Sequence, residues 1–217
     1  MCIRDRMYTY SYTLPDGTKD VSTESYIFEN ELSRAVYHTH QRTLPQLNGE
    51  IIQGYNGNNF WLKSQDSVIS NPILLKKVQF NRKTNFYWFA MMQKLNDPGL
   101  NYEHIADTTI GNNEYEIIKI SFEETDKPSD IYQVYLNKNT QLIDRFLFTV
   151  VDYNMVETPL LMKVEYEKID NMLIPSKRQY TKANWDGHVI NDSNWISVNW
   201  TDISFNNELK TSLFESN

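Results

Sequence analysis

Hydrophobic and polar residues alternate along the chain from Tyr8, with Tyr8, Tyr10 and Tyr12 on one side and Thr9, Ser11 and Thr13 on the other. That period of two predicts a strand, and Leu14-Pro15-Asp16-Gly17 ends it in a hairpin turn. Runs over about 20–28 and 34–43 repeat the alternation on either side of Glu29-Asn30. The run over 49–55 stops at Asn56-Gly57, the strongest short hairpin signal, and 59–63 returns from it. Strands this close in sequence pair with their neighbours, so the first third is expected to be a meander.

The texture changes at Asn71-Pro72. Proline suits the first turn of a helix, and 73–95 contains no Gly or Pro and no sustained alternation. Apolar residues recur there at Leu74, Leu75, Val78, Phe86, Phe89 and Met92, which predicts one long or two short helices closed by Asp97-Pro98-Gly99. The segment 86–92 is apolar nearly all round and so should be contacted on more than one side. Strand patterns then resume over 101–106, 115–122, 131–136, 142–152, 160–169, 176–183 and 195–205. Turn residues separate them, at Gly111-Asn112-Asn113, Lys127-Pro128-Ser129 and Asn137-Lys138-Asn139 among others. A dozen short strands with one helical insertion predict a mainly β, antiparallel (α+β) domain, a sandwich or a barrel and not a parallel α/β sheet.

Composition sharpens this picture. With 14 Tyr, 10 Phe and 5 Trp against 7 Gly and 7 Pro, the chain has ample large apolar surface for a core, and its aromatic bias favours strands. A net charge of -7 repels polyanions, and the short basic pairs Lys76-Lys77 and Lys177-Arg178 read as solvated surface, so nucleic acid is not an expected partner. Apolar runs such as 146–151 fall far short of the roughly 20 residues a membrane helix needs. The start, Met1-Cys2-Ile3-Arg4-Asp5-Arg6, resembles a translated sequencing-adaptor read-through. It is set aside, leaving one expected domain over 7–217 with its helical insertion at about 72–95. The sole cysteine, Cys2, goes with it, and with it disulfides, thiolate catalysis and cysteine-based zinc sites.

Candidate chemistry is sparse. His38 and His40 share one face of a strand and could begin a metal site, but His104 and His188 sit on distant segments and supply no third ligand by spacing. Glu165 and Glu167 also share a face, yet with Lys163 beside them and Leu160, Met162, Val164 and Tyr166 opposite they read as the wet side of a strand. Glu123-Glu124 is the other dense carboxylate pair, and Asp186-Gly187-His188 reads as a hairpin turn. No phosphate loop, nucleophile elbow or His-Glu-x-x-His occurs. No cofactor is implied and no catalytic residue stands out. The informative feature is apolar excess. Along 143–152, Ile143, Leu147 and Val151 take one face and Phe146, Phe148 and Val150 the other, so this strand should be covered on both sides. The helical insertion, with Phe86, Trp88, Phe89, Met91 and Met92, is the expected cover.

The stretches 26–33, Gly54-Tyr55-Asn56-Gly57 with Phe60-Trp61, 81–89, 97–102, 157–161 and 174–178 resemble an uncharacterised family of Bacteroidota proteins related to the LolA and LppX lipoprotein carriers. The resemblance spans nearly the whole chain from Tyr8. It implies a strongly curved antiparallel incomplete β-barrel whose concave face is capped by the helical insertion. It also implies export to the periplasm, often with a lipid anchor supplied by an N-terminal segment, and an apolar cavity for a lipid, an acyl chain or a lipoprotein. On that footing the chain is expected to be a non-enzymatic envelope protein, with Trp61, Phe86, Phe89, Met92, Phe146 and Phe148 as ligand-lining candidates. Two alternatives stay open: a plugged barrel that docks an envelope partner, and a cofactor-free enzyme on the same fold.

Overall fold

The computed structural model describes residues 3–123 and 129–216, the side chains of Met92 and Gln93 excepted. Cys2, Glu124 and the Lys127-Pro128 turn lie outside the described residues. Among the described residues, thirteen strands and one α-helix form in the order β1 (Asp5–Thr13), β2 (Lys19–Ile27), β3 (Leu32–His40), β4 (Ile51–Tyr55), β5 (Phe60–Ser64), β6 (Ser67–Val68), α1 (Pro72–Lys94), β7 (Leu100–Ile110), β8 (Asn113–Phe122), β9 (Tyr132–Asn137), β10 (Ile143–Val150), β11 (Met155–Ile169), β12 (Met172–Lys182) and β13 (Ile196–Phe205). They pack as two compact units, one of residues up to Lys94 with Val198 onward, the other of Leu95–Ser197.

In the first unit the strand order is β6-β5-β4-β3-β2-β1-β13, and β1 to β6 are joined as an antiparallel meander. The alternation that predicts β1 is the alternation of its burial: Tyr8, Tyr10 and Tyr12 are buried while Thr9, Ser11 and Thr13 are half-buried. Asp5 and Arg6, set aside with the adaptor-like start, begin this strand, and the Asp5 carboxylate accepts from the backbone N–H groups of Asn207 (2.6 Å) and Leu209 (3.0 Å). At the β4–β5 hairpin Gly57 has φ +94°, a conformation glycine adopts without penalty, and the Asn56 side chain accepts from the backbone of Asn58 and Asn59. The two-residue β6 is too short to show a period, and the sequence reading has no strand there.

Helix α1 begins where Asn71 caps it. The Asn71 Oδ1 accepts from the N–H groups of Ile73 (3.0 Å) and Leu74 (3.2 Å), and Pro72 takes the first helical position, where no N–H is needed. Val78, Arg82, Phe86 and Phe89 are buried at a spacing of four, four and three residues that keeps them on one face, and Ala90 and Met91 are buried beside them, so the end of the helix is covered on more than that stripe. The helix packs on β3, β4 and β5, and Val78 joins a core of Ala35, Tyr37, Leu44, Ile51 and Leu62.

In the second unit the order is β12-β11-β10-β9-β8-β7, each neighbouring pair antiparallel. Phe146, Leu147, Phe148 and Thr149 are buried in succession, as a strand covered on both faces requires. Leu147 is packed with Tyr115, Ile117, Tyr135, Leu161 and Ala183 beneath Trp185, Val189 and Trp195. That face is therefore covered by the strap between β12 and β13, where the sequence reading looks only to the helix. Arg178, read from sequence as solvated, is buried at 5% exposure on β12. Neither run of strands returns to its own first member, so the antiparallel sheet they belong to is open.

Candidate functional site

The face of β2 that meets α1 carries Asp20, Ser22, Glu24 and Tyr26, all buried. Such a row is polar in sequence, and burying it requires partners. Arg82, from the middle of the helix stripe, supplies the charge. Its Nη1 donates to Glu24 Oε2 at 2.6 Å and its Nη2 to Glu24 Oε1 at 3.2 Å, with neither side chain exposed. The Ser22 hydroxyl donates to Oε1 (2.8 Å) and the Tyr26 hydroxyl to Oε2 (2.6 Å), so each carboxylate oxygen accepts two bonds. Arg82 Nη2 also reaches the Tyr37 hydroxyl at 3.4 Å, and the Tyr8 hydroxyl donates to that of Tyr26 at 3.3 Å.

Burial works against the Arg82 charge, but Glu24 beside it, with the hydroxyls of Tyr37 and Tyr26, outweighs that and holds its pKa well above the ordinary value. Burial, then the Glu24 charge, raises Tyr26 well above the ordinary phenol range. Tyr37 is pushed up to about 12 by burial, with Arg82 opposing and Glu24 adding. This network is a neutral, proton-retaining knot that ties the helix to the sheet.

One and two turns further along, the stripe becomes aromatic. Phe89 stacks on Tyr26 (5.2 Å between centroids) and on Tyr8 and packs against Phe28 (5.2 Å) and Trp200, while Phe86 meets Tyr26 and Phe28 edge-on. The Arg6 guanidinium lies over the Phe89 ring. Lys94, in the last turn of α1, bonds Glu31 at 2.6 Å.

Of the lining candidates, Phe86 and Phe89 come together in this cluster. Trp61 is buried elsewhere in the same unit: it lies across Gly54, its cross-strand partner, where a Cβ would fall inside the indole, and its N–H donates to the Phe214 carbonyl at 2.7 Å. Phe146 and Phe148, 5.7 Å apart, sit in the second unit with Tyr132 and Tyr180. Met92 belongs to α1, but its side chain is outside the described residues. The sequence reading misses Glu24, Arg82 and Gln53. The one usable signal is that Arg82 lies four residues before Phe86 and four after Val78, on the apolar stripe itself.

The remaining candidates have local partners. His38 Nε2 pairs with Thr23 Oγ1 at 2.9 Å and His40 Nε2 with the Gly49 carbonyl at 2.8 Å. His104 pairs with Asp107, and the His188 N–H donates to Asn184 within the turn formed by 184–188. Glu165 faces Lys177 across strands, and Glu167 accepts from Ser176. Among the described residues no group of three His, Cys, Asp or Glu side chains converges, and no helix is long and apolar enough to cross a membrane.

Three solved structures match this arrangement over nearly the whole chain. One is a DUF1329 family protein from Desulfovibrio piger, with TM-score 0.54 and 11% identity, covering 98% of this chain and 90% of that one. The second is a LolA superfamily protein from Nitrosomonas europaea, with TM-score 0.54 and 10% identity over 97% and 89%. The third is a domain from Vibrio parahaemolyticus named for outer membrane lipoprotein sorting, with TM-score 0.55 and 10% identity over 97% and 89%. The class is thereby defined: a mainly β protein with the open antiparallel fold of the LolA superfamily. No curated protein matches the sequence. A family model matches residues 48–158, just over half of the 217 residues, and the chain belongs to that family of unknown function, DUF6503.

Proposed function

We propose that this protein is a non-enzymatic envelope protein that binds or carries an apolar ligand, a lipid, an acyl chain or an acylated protein, against the sheet face beneath α1. The observation that carries the reading is the aromatic cluster of Phe86 and Phe89 with Tyr8, Tyr26, Phe28 and Trp200, held under a single helix in a LolA-type fold. One structural neighbour is named for lipoprotein sorting, which agrees with this choice of ligand. Trp61 and Met92 remain lining candidates in the unit of α1, and Phe146 and Phe148 are candidates within the other unit. Burial at about 25 cal/mol per Å² of apolar surface holds a long chain without a charged anchor. The working compartment is the periplasm or the outer membrane, nucleic acid is not a partner at a net charge of -7, and no cofactor takes part.

A plugged interaction module is the rival, favoured by the closeness of the packing: Phe86 and Phe89 are 5% and 8% exposed. Native mass spectrometry and lipid extraction of protein purified from a Gram-negative periplasm separate the two. Co-purified lipid or lipopeptide, lost in Phe89→Asp, is expected. Bare protein that also refuses a fluorescent fatty acid overturns the carrier reading in favour of the plugged module.

A further inference from the structure

The knot beneath α1 has donors to spare. In the sheet, Glu24 on β2 lies opposite Ala35 on β3, and Ala35 opposite Gln53 on β4, so the three side chains form one row facing the helix with the smallest in the middle. Gln53 is fully buried, and its Oε1 accepts a long bond of 3.5 Å from Asn81 Nδ2 on the helix. Its Nε2 donates to nothing among the described residues, and the same holds for Nε of Arg82, which is 1% exposed. The two terminal nitrogens of Arg82 are committed to Glu24, so in a rigid planar guanidinium the Nε–H points away from that carboxylate. Native interiors rarely leave buried donors unmet.

The geometry points to a carbonyl-reading site, and this inference rests on the ligand-binding function proposed above: the spare donors of Gln53 and Arg82 receive a neutral carbonyl oxygen, the ester or amide of an acyl chain whose hydrocarbon runs along Phe86 and Phe89. Charge decides which acceptor fits. Glu24 and Arg82 already balance, so a free carboxylate would add an uncompensated anion to a site without water contact, and a bare hydrocarbon would leave both donors unmet. Position agrees, since Phe86 and Phe89 follow Arg82 on one helix face, on the far side from the core around Val78. The ligand class is thus narrowed from any apolar chain to an esterified or amidated one.

The test compares a monoacylglycerol with the glyceryl ether of the same chain length, which lacks only the carbonyl oxygen, by displacement of a fluorescent acyl probe from the full chain. The ester is expected to bind about tenfold tighter than the ether, the equivalent of one well-made hydrogen bond. Gln53→Met should reduce that ratio towards one. Equal binding of ester and ether to the unaltered protein overturns the carbonyl site and leaves the carrier function standing, and no variant is needed to see it. A tenfold ratio that survives Gln53→Met overturns the assignment to Gln53. Failure of the protein to take up the acyl probe at all overturns the carrier function, and the site with it, whereas a bound probe that neither ligand displaces overturns the carbonyl site alone.

Discussion

Glu24 makes no contact with solvent, and its two oxygens accept four hydrogen bonds, two of them from Arg82. A buried ion pair adds little over well-packed apolar residues, yet removing one partner strands the other in a low-dielectric interior. Glu24→Leu alone is therefore expected to lower the unfolding free energy of its unit by about 3–5 kcal/mol. The double variant Glu24→Leu with Arg82→Met should recover most of this, remaining about 1–2 kcal/mol short because the Ser22 and Tyr26 hydroxyls lose their acceptor. Urea unfolding of the four proteins of the cycle measures the coupling, and additive single effects would show that the pair is not the tie described. Gly54 acts on the same scale through space alone. A methyl group there enters the Trp61 indole, so Gly54→Ala should cost about 1–3 kcal/mol and shift Trp61 fluorescence, whereas unchanged stability and emission would mean the indole has room to move.

At the level of elements, period-two alternation and turn residues locate every strand except β6 and β10, β10 is located by its apolar run, and the absence of Gly and Pro after Pro72 locates α1. What alternation does not tell is which face is buried when the buried face is polar. On β2 the inward row is Asp20, Ser22, Glu24 and Tyr26, which in sequence looks like a wet side. Arg82 hides the complementary stripe on α1 by interrupting its apolar run with a charge. Half of the candidate site was legible, because Phe86 and Phe89 announce themselves by size and spacing. The Glu24, Arg82 and Gln53 half was not, because its members are 58 and 29 residues apart and meaningful only once paired across the fold. Local pattern does succeed for β10, where apolar residues on both faces require two covers. Leu147, fully buried beneath the Trp185 and Trp195 strap, should cost about 2–5 kcal/mol on change to Ala. Leu173, at 52% exposure in the same unit, should change stability by less than about 0.5 kcal/mol under the same substitution. Similar midpoints for the two variants in urea would refute the strap as a cover.

For the molecule as a whole, the tyrosines make alkaline pH the informative axis. Each unit holds a phenol pushed up to about 12: Tyr37 by burial, against Arg82 and with Glu24, and Tyr166 by burial, against Arg178 and with Asp144. In the unfolded chain a tyrosine ionises near pH 10, so between about pH 10 and 12 the unfolded state has lost protons that the native state retains. The native form then binds more protons than the unfolded one, and stability must fall as pH rises through that window. Below about pH 10 both states hold the proton, and these groups leave stability flat. Tyr10 and Tyr26, raised by burial in the first unit, steepen the fall in the same direction. Urea midpoints recorded across that range should therefore decline, and Tyr37→Phe with Tyr166→Phe should make the decline shallower without abolishing it. Tyr115 and Tyr135, also raised by burial, keep part of the decline in the doubly substituted protein. A midpoint independent of pH from about 10 to 12 would mean that these phenols ionise as freely in the fold as in the open chain, and that the interiors around Glu24 and Arg178 admit water.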